Sequence, residues 1–259
     1  MNSLNTAATG MSAQQLNVEV ISNNIANMNT TGFKRHRAEF SDLMYASHER
    51  VGRPTGDNVK PVGVDVGMGV KAVGVSSINT QGALSQTGNE LDVAIDGRGY
   101  LTVAMPDGSQ AYTRAGALQM NAEGMLVTQE GYEVDPGIAI PDDTTKVEIN
   151  KEGVVYAFFG LGGESVEVGQ LTLATFANQA GLRNIGSNLL VETPASGAAV
   201  TGNPGDEGFG SLQQGYVEAS NVEVITEITA LIGAQRAYEM NSKVVQTADD
   251  MMQTSSNIR

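Results

Sequence analysis

Two segments, one near each end of the chain, carry apolar residues at seven-residue intervals. Spacing of this kind is typical of α-helices that pair through an apolar seam. The N-terminal series, each member followed three residues later by a partner, is Leu4, Met11, Val18 and Ile25, with Ala7, Gln14, Ile21 and Met28. The C-terminal series, whose first two members have partners four residues later, is Val224, Leu231, Tyr238, Val245 and Met252, with Ile228 and Gln235. The pattern predicts a long helix at each end.

Local signals predict where these helices begin and end. The first helix is expected to end within residues 27–32, where Asn, Thr and Gly favour caps and turns. Asn221 is the predicted N-cap of the second helix, with Glu223 and Glu227 near the positive end of its dipole. Between them, a second amphipathic helical piece is predicted from near-helical spacing. Its positions are Phe33, Arg37, Phe40, Leu43 and Met44.

The middle of the chain has the pattern of short strands separated by turns. Residues 91–96 alternate apolar and polar positions, and Pro106-Asp107-Gly108 is a hairpin signal before a return strand at residues 111–114. Turn signals every 8–12 residues favour an antiparallel sandwich or barrel. Residues 46–66 have weak periodicity and indicate an extended linker or a long hairpin. The predicted fold is therefore α+β, with terminal helices pairing as a coiled coil around a barrel-like or sandwich-like β body.

Composition supports the same division. Of 31 glycines, 28 lie between Gly52 and Gly215, together with all seven prolines. Both residues disfavour helix interiors, so helices are confined to the flanks. The predicted domains are a helical domain of residues 1–45 and 216–259, a linker or hairpin of residues 46–80, and a β domain of residues 81–215. Residues 54–215 hold seven bases and 19 acids. The net charge of −14 argues against a nucleic-acid surface, which requires clustered positive charge.

Candidate chemistry is sparse. The chain has no cysteine, which excludes disulfides and thiolate metal sites. It has two histidines, which leave little material for a Ser-His-Asp triad or a zinc site. Gly97-Arg98-Gly99 lacks the spacing of a phosphate-binding loop, and turn glycine is the simpler interpretation. The acid pairs Asp92/Asp96 and Asp142/Asp143 are expected by chance in an acidic domain. The basic cluster of residues 34–37 is interpreted as a solvated or partner-facing side. We therefore predict no catalytic, cofactor-binding or metal-binding residues.

Helix length favours assembly over two ordinary helices on a globular core. Each flank predicts a helix of roughly 25–35 residues, against an average near 11–12 in compact domains. A two-helix seam would leave residues such as Ile225 and Ile232 uncovered. Neighbouring copies of the chain could cover them. The chain is thus expected to associate with itself.

Several runs of residues, in order along nearly the whole chain, resemble motifs of the bacterial flagellar axial family, the rod and hook proteins, and above all its distal-rod members. In the first 45 residues the runs are Gly10-Met11-Ser12-Ala13-Gln14-Gln15-Leu16-Asn17, Ser22-Asn23-Asn24-Ile25-Ala26-Asn27, Gly32-Phe33-Lys34-Arg35, Arg37-Ala38-Glu39-Phe40 and Asp42-Leu43-Met44-Tyr45. In the middle they are Leu91-Asp92-Val93-Ala94-Ile95-Asp96-Gly97, Tyr112-Thr113-Arg114 and Gly116. Near the end they are Gly215-Tyr216-Val217-Glu218, Ser220-Asn221-Val222 and Gln235-Arg236-Ala237-Tyr238-Glu239-Met240-Asn241.

The resemblance implies a non-enzymatic structural subunit of the flagellar distal rod. Family members stack helically into a hollow drive shaft, with terminal helices inside and β domains outside, which transmits torque across the periplasm to the hook and conducts exported subunits. The seam residues above would then mediate self-assembly. Residues 46–66 match the position of a segment that makes the distal rod straight and stiff. Phe40 and Met44 resemble the Phe-x-x-x-apolar pattern recognised at the export gate.

The resemblance also implies partners and a location. The partners are further copies of the chain, proximal rod and hook proteins, the surrounding periplasmic and outer-membrane ring proteins, and the flagellar export apparatus. No basic n-region precedes an apolar segment, because the first basic residue is Lys34. The expected location is the basal body, reached by flagellar type III export without a cleaved signal. The alternatives are a proximal rod or hook-type subunit, or a secreted β-fold carbohydrate-active enzyme.

Overall fold

The computed structural model describes residues 2–49, 54–55, 58–59, 63–160 and 164–257, and its fold is α+β. The chain divides into two compact units. The helix–hairpin unit comprises Met1–Ala26, His36–Ser77 and Glu223–Arg259, and the β unit comprises Asn27–Arg35 and Ile78–Val222. Both units are therefore built from segments that are far apart in the sequence.

The helix–hairpin unit contains both long helices. Helix α1 spans Asn2–Ala26 and helix α2 spans Val224–Asn257, and they pack against each other. Asn24 contacts Glu227, and Gly10 lies against Asn241, so the two helices run antiparallel. The prediction of a helix at each end is confirmed, as is the end of α1 before the turn at residues 27–32. No described helix is both long and apolar enough to cross a membrane.

A nested β-hairpin completes this unit. Its strands pair antiparallel in the order β1 with β6, β2 with β5 and β3 with β4. Their bounds are β1 His36–Asp42, β2 Tyr45–Glu49, β3 Pro54–Thr55, β4 Asn58–Val59, β5 Val64–Gly67 and β6 Val70–Ser77. The long-hairpin interpretation of residues 46–66 thus has a structural counterpart that starts earlier, at His36. The parts of that segment at residues 50–53, 56–57 and 60–62 lie outside the described residues.

The helix predicted over residues 33–44 is wrong, because residues 36–42 form strand β1. Pairing with β6, more than 25 positions later in the chain, decides the conformation. Ala38 and Phe40 pair with Val75 and Ala72, so Phe40, one of the apolar positions with helical spacing, also fits this strand register. A short apolar run of this kind does not distinguish helix from strand by spacing alone.

The β unit is built from antiparallel strands joined by short turns. Its strands are β7 Leu84–Gln86, β8 Val93–Asp96, β9 Tyr100–Ala104, β10 Gln110–Thr113, β11 Gln119–Met120, β12 Leu126–Val127, β13 Glu133–Val134, β14 Thr144–Ile149, β15 Val154–Phe159, β16 Glu164–Gln170, β17 Leu173–Thr175, β18 Arg183–Gly186, β19 Leu189–Val191, β20 Val200–Gly202, β21 Ser211–Gln214 and β22 Tyr216–Glu218. A 3₁₀ turn at Gln179–Gly181 follows β17. The predicted hairpin at residues 106–108 joins β9 to β10, with Gly108 at a positive φ of 83°.

These strands form several sheets. Nine of them make one sheet, with the path β11-β12-β13-β9-β10-β19-β18; β17 pairs with β9, and β20 pairs with β17. A three-stranded sheet has the order β14-β15-β16, and the pairs β8/β21 and β7/β22 are separate. The large sheet is an open path among the described strands, so the structure confirms antiparallel sheets but not a closed barrel. The main core is apolar and includes Leu101, Leu118, Leu126, Leu171, Leu173 and Leu212.

Candidate functional site

The contact face between α1 and α2 is lined by small residues. Gly10 lies so close to α2 that a Cβ added there would be 2.9 Å from Asn241 Nδ2. The buried residues of the two helices, of which α1 also packs on β1 and β6, are Ala7, Ala13, Val20, Ile21 and Asn24 of α1, and Glu227, Ala234 and Ala248 of α2. Small side chains allow two helices to approach closely but bury little apolar area. The two helices therefore lie close together but bury little apolar area against each other.

The seam residues predicted on α1 mostly lie on or beside this face. Ile21 is buried, whereas Met28 follows the end of the helix and is exposed. The half-buried members are Leu4, Met11, Gln14, Val18 and Ile25. Their proposed role in contacts between copies of the chain is a separate question and stays a prediction.

The seam residues predicted on α2 divide into two groups. Val224, Leu231 and Val245 are half-buried, whereas the exposed members are Ile228, Gln235, Tyr238 and Met252. The positions that pair within the chain lie three residues after the heptad series, at Glu227, Ala234, Asn241 and Ala248, rather than four. The heptad pattern favours the large apolar Ile228 over the acidic Glu227. It therefore does not predict that Glu227 is the residue that faces α1.

A polar contact lies at one end of this seam, between the last turn of α1 and the first turn of α2. Asn24 is buried, and its Nδ2 donates to Glu227 Oε2 at 3.1 Å and to the carbonyl oxygen of His36 at 2.8 Å. Its Oδ1 accepts from the backbone N–H of His36 at 2.9 Å. The amide of Asn24 therefore binds His36 as a neighbouring strand would, and it joins α1, α2 and the start of β1. Buried polar contacts of this kind fix the register of paired helices.

The hairpin also contacts the N-terminal third of α1. Thr9 Oγ1 accepts from the backbone N–H of Val70 at 3.4 Å. Gly69 has a φ of 121°, and a Cβ there would overlap Thr9 Oγ1. Only glycine fits both the backbone conformation and the space, so this turn is seated on the helix.

Exposed apolar side chains concentrate in the helix–hairpin unit. It holds 16 of the 21 large apolar residues that are exposed among the described residues. Eight are on α2: Ile225, Ile228, Ile232, Tyr238, Met240, Val244, Met251 and Met252. Eight are on the hairpin: Phe40, Met44, Tyr45, Val64, Val66, Met68, Val73 and Val75. Clusters of exposed apolar surface on this scale mark interaction sites. The two residues of the proposed export pattern are among them, with Phe40 37% and Met44 80% exposed.

The β unit contains a buried group of three charged residues, which we call the ionic clasp: Lys34, Arg114 and Glu218. Lys34 Nζ lies 2.5 Å from Glu218 Oε1, and Arg114 Nη1 lies 3.0 Å from Glu218 Oε2. The Glu218 and Lys34 side chains are 1% and 8% exposed. The interpretation of residues 34–37 as a solvated basic cluster is therefore wrong for Lys34, while Arg37 is exposed and pairs with Glu39.

Further hydrogen bonds complete the ionic clasp. Glu218 Oε1 also accepts from the backbone N–H of Gly82, and Lys34 Nζ also donates to the carbonyl oxygen of Thr80. Arg114 donates to the carbonyl oxygens of Gly97 and Gly99. The turn predicted at Gly97-Arg98-Gly99 therefore binds a guanidinium group of its own chain. Burial lowers the pKa of Lys34, a shift that the hydrogen bond from Lys34 to Glu218 opposes.

Asn221 and Gly32 tie the two ends of the β unit beside the clasp. Asn221 Oδ1 accepts from the backbone N–H of Arg35 at 2.7 Å, and its Nδ2 donates to the carbonyl oxygens of Ile78 and Thr80. Helix α2 begins at Val224, so the prediction of Asn221 as its N-cap is wrong. The backbone N–H of Gly32 donates to the carbonyl oxygen of Glu218 at 2.8 Å.

Of the acid pairs considered for chemistry, Asp92 and Asp96 have structural contacts; Asp96 Oδ1 accepts from Gln81 Nε2. Asp92 accepts hydrogen bonds from Thr87 and Asn89. The pKa of Glu39 is lowered by the hydrogen bond from Arg37, and that of Asp107 by the hydrogen bond from Ser109. Both shifts are opposite to the raised pKa that a carboxyl group needs to act as a general acid. Within the described residues, no three His, Asp or Glu side chains are grouped so that they could hold a metal ion.

The sequence reasoning missed the ionic clasp, although each member lay in a quoted motif. Lys34 lies in the Gly32-Phe33-Lys34-Arg35 run, Arg114 ends Tyr112-Thr113-Arg114, and Glu218 ends Gly215-Tyr216-Val217-Glu218. The available signal was that three motifs rich in uncharged residues each contain a basic or acidic residue, with charges of both signs.

Paired terminal helices, a large exposed apolar surface and a β unit held together by its own charges define a class of protein: structural subunits of a larger assembly. Known proteins agree. Residues 4–34 match the flagella basal body rod protein family, residues 94–157 the flagellar hook protein FlgE/F/G D1 domain, and residues 213–258 the C-terminal region of flagellar basal body rod FlgEFG proteins.

Full-length relatives narrow the group. The flagellar basal-body rod protein FlgG of Caulobacter vibrioides is 55% identical over 100% of both chains, and FlgG of Agrobacterium fabrum is 53% identical over 97% of both. The rod protein FlgF of C. vibrioides is 33% identical, over 97% of this chain and 96% of its own. The chain belongs to the flagellar basal-body rod protein family, within its FlgG group. It is a structural subunit of the flagellar distal rod in the basal body, and not an enzyme.

Proposed function

We propose that the chain polymerises helically with itself into the hollow drive shaft of the distal rod, through the apolar residues that its helix–hairpin unit leaves exposed. The observation that supports this most directly is the concentration of exposed apolar side chains on α2 and on the hairpin. Ile225, which is 77% exposed, is one of eight exposed large apolar residues on α2, and clusters of this kind mark interaction sites. Contacts between two different patches of the same chain produce open helical filaments when the rotation between neighbours does not close into a ring.

The helices would form the inner layer of this tube. We propose that α1 and α2 pair as a coiled coil within each subunit and that neighbouring copies cover their outer faces. The predicted seam residues then have two roles. Ile21 and Leu231 serve the pair inside the chain, while Ile228, Tyr238 and Met252 serve contacts with further copies. The division into residues 1–45 with 216–259, 46–80 and 81–215 stays our proposal for the inner layer, the connecting segment and the outer layer.

The hairpin would stiffen the tube. Its polar face carries the exposed pair Arg37 and Glu39, and its other face carries Met44, Val66 and Met68. One apolar face suits a strand pair that lies against another subunit. We propose that this contact keeps the rod straight and able to transmit torque to the hook. Phe40 and Met44 would also be accessible to the export gate while the chain is unfolded.

The proposed partners follow from this role. The two ends of the rod would meet the proximal rod and the hook, and its side would face the periplasmic and outer-membrane rings. The lumen would conduct later subunits from the flagellar type III export apparatus. We propose that the chain itself uses this route without a cleaved signal peptide.

The experiment compares the full chain with single-charge variants on α2. We expect Ile225→Asp and Met240→Asp to reduce polymer formation strongly, because each places a charge in an apolar contact between copies. Gln246→Asp adds the same charge at an exposed polar position and is the matched control. Sedimentation velocity measures association, and electron microscopy shows whether the product is a tube. Equal polymer formation by all three variants would contradict the proposal, provided that circular dichroism shows their helices intact.

A further inference from the structure

We propose that residues 211–222, which we call the latch segment, control the folding of the β unit, so that its core stays open until this last segment of the unit is available. The latch segment contains β21, β22, Glu218 and Asn221. The inference concerns the order of folding and does not depend on how the folded subunit assembles.

The first argument is that the latch segment completes the core. Leu212 of β21 is 1% exposed and belongs to the main apolar cluster with Val93, Ile95 and Leu101. The ladder partner of β8 is β21, and that of β7 is β22. Without these strands, the inward-facing side of β8 would lose the leucine that covers it. The core formed by residues 78–210 is therefore incomplete.

The second argument concerns an edge of the three-stranded sheet. Gln214 Oε1 accepts from the backbone N–H of Ile149 at 3.1 Å, and its Nε2 donates to the carbonyl oxygen of Val147 at 2.8 Å. The same Nε2 donates to the carbonyl oxygen of Glu90 at 2.7 Å. One side chain of the latch segment thus binds the backbone of β14 as a further strand would. Its absence would leave these partly buried groups without this partner.

The third argument is electrostatic. Lys34 and Arg114 are both buried, and Glu218 is the acid that pairs with both. A chain folded without the latch segment would bury two cations beside each other with no anion. Removing one partner from a buried ion pair is strongly destabilising, because the remaining charge is desolvated and uncompensated. The direction of the Lys34 pKa agrees, since burial and the charge of Arg114 both lower it.

The fourth argument is that these contacts are far apart in the sequence. Lys34 and Glu218 are separated by 184 positions, and Arg35 and Asn221 by 186. Contacts of such separation require the closure of a very long loop, which makes the folding step that forms them slow. The backbone contact of Gly32 with Glu218 brings Asn27–Arg35, the N-terminal part of the β unit, into the same closing step. The β unit is thus closed at both of its ends by one short piece of chain.

As a consequence, the chain cannot complete its β unit during synthesis, or during passage through a channel with the N-terminus first, until the latch segment is available. Four properties of the latch segment, namely its core leucine, its strand pairing, its edge glutamine and its acid, all become available together at the end. A chain that must pass a narrow channel benefits from such a delay, because a folded domain would block it.

The experiment is refolding of the full chain from denaturant with pulsed hydrogen exchange read by mass spectrometry. We expect the amides of β9 and β10 to gain protection in the same kinetic phase as those of β21 and β22. Protection of β9 and β10 in a separate, earlier phase would overturn the proposal. This measurement requires no variant, so it remains decisive even where a substitution prevents folding.

A pair of variants tests the part played by the acid. Glu218→Gln keeps the shape of the side chain and removes its charge, and we expect it to slow folding of the β unit on the order of tenfold. Glu207→Gln removes an exposed acid of the same unit and should leave the rate unchanged. A folding rate for Glu218→Gln equal to that of the parent chain would overturn the proposal.

Discussion

Lys34 Nζ and Glu218 Oε1 lie 2.5 Å apart in the fold, although 184 positions of sequence separate the two residues. The carboxylate of Glu218 also binds Arg114, so one acid compensates two buried cations. The contact joins the segment that follows α1 to the segment that precedes α2, and both belong to the β unit. The termini of this unit are therefore fixed to each other by charge.

A double-mutant cycle at Lys34 and Glu218 is the first prediction. Glu218→Gln should destabilise the β unit by about 3–5 kcal/mol, because it leaves two buried cations without an acid. Adding Lys34→Met removes one of those cations, so the double variant should be less destabilised than the sum of the two single variants. Urea denaturation measured by tyrosine fluorescence gives the free energies of unfolding. Strict additivity would contradict a direct interaction between the two side chains.

The second prediction concerns the polar contact in the helix seam. Asn24→Ala should destabilise the helix–hairpin unit by about 3 kcal/mol, because Glu227 and both backbone groups of His36 lose a buried hydrogen-bond partner. Ser22→Ala changes an exposed residue two positions before Asn24 on the same helix and serves as the control. Thermal denaturation followed by circular dichroism at low protein concentration measures the difference. A melting temperature for Asn24→Ala equal to that of the control would show that the hydrogen bonds of Asn24 do not stabilise the helix–hairpin unit.

The third prediction compares two helical glycines. Gly233 in α2 has no atom within 4 Å of an added Cβ, so Gly233→Ala should stabilise the isolated chain by about 1 kcal/mol through helix propensity. Gly10→Ala has the same intrinsic gain, but its methyl group would lie 2.9 Å from Asn241 Nδ2. We expect Gly10→Ala to be less stable than Gly233→Ala by about 1 kcal/mol, a cost typical of mild overpacking. Chemical denaturation of both variants in parallel checks this order.

The fourth prediction is a dependence on pH. Burial raises the pKa of Tyr100 above its ordinary value of 10.0. The unfolded chain therefore releases the phenol proton at a lower pH than the folded chain does. The stabilising effect is fully present below pH 10.0, and it is lost as the pH rises through the folded pKa. Tyr100→Phe should make the decline in the free energy of unfolding shallower above about pH 10.

Two features make Tyr100→Phe a clean substitution. The ring keeps its edge contact with Phe176 at 5.9 Å, and the guanidinium of Arg114 remains over it at 5.6 Å. Free energies of unfolding measured from about pH 9 to 11 for parent and variant give the two slopes. An identical slope in both chains would show that Tyr100 does not contribute to the decline.

The helices and the turns were predictable because their causes are local. Heptad spacing and the near absence of glycine define α1 and α2, and Pro106-Asp107-Gly108 defines a hairpin by its own geometry. Strand β1 was not predictable in this way. Its conformation depends on pairing with β6 and on the amide of Asn24, and neither is visible in a short window of sequence.

The buried acids were missed for a different reason. Sequence patterns assign charged residues to the surface, so Glu227 was read as favourable for the helix dipole and Glu218 was not interpreted as a contact at all. Each acid is buried because of a partner on a remote segment, Asn24 for the first and Lys34 with Arg114 for the second. No spacing rule connects positions that are 100 to 200 residues apart, and a single sequence carries no record of which pairs meet.

The small residues of the helix seam have a thermodynamic consequence. Alanine and glycine at Ala7, Gly10, Ala13, Ala234 and Ala248 contribute little apolar burial, so two helices held mainly by them gain only a small free energy from pairing. Within the chain the hairpin packed on α1 adds to this gain, whereas any contribution from other molecules obeys mass action. The order of α1 and α2 should therefore rise with protein concentration. A dilute chain would then hold its helices loosely, and a critical concentration would separate that state from the polymer.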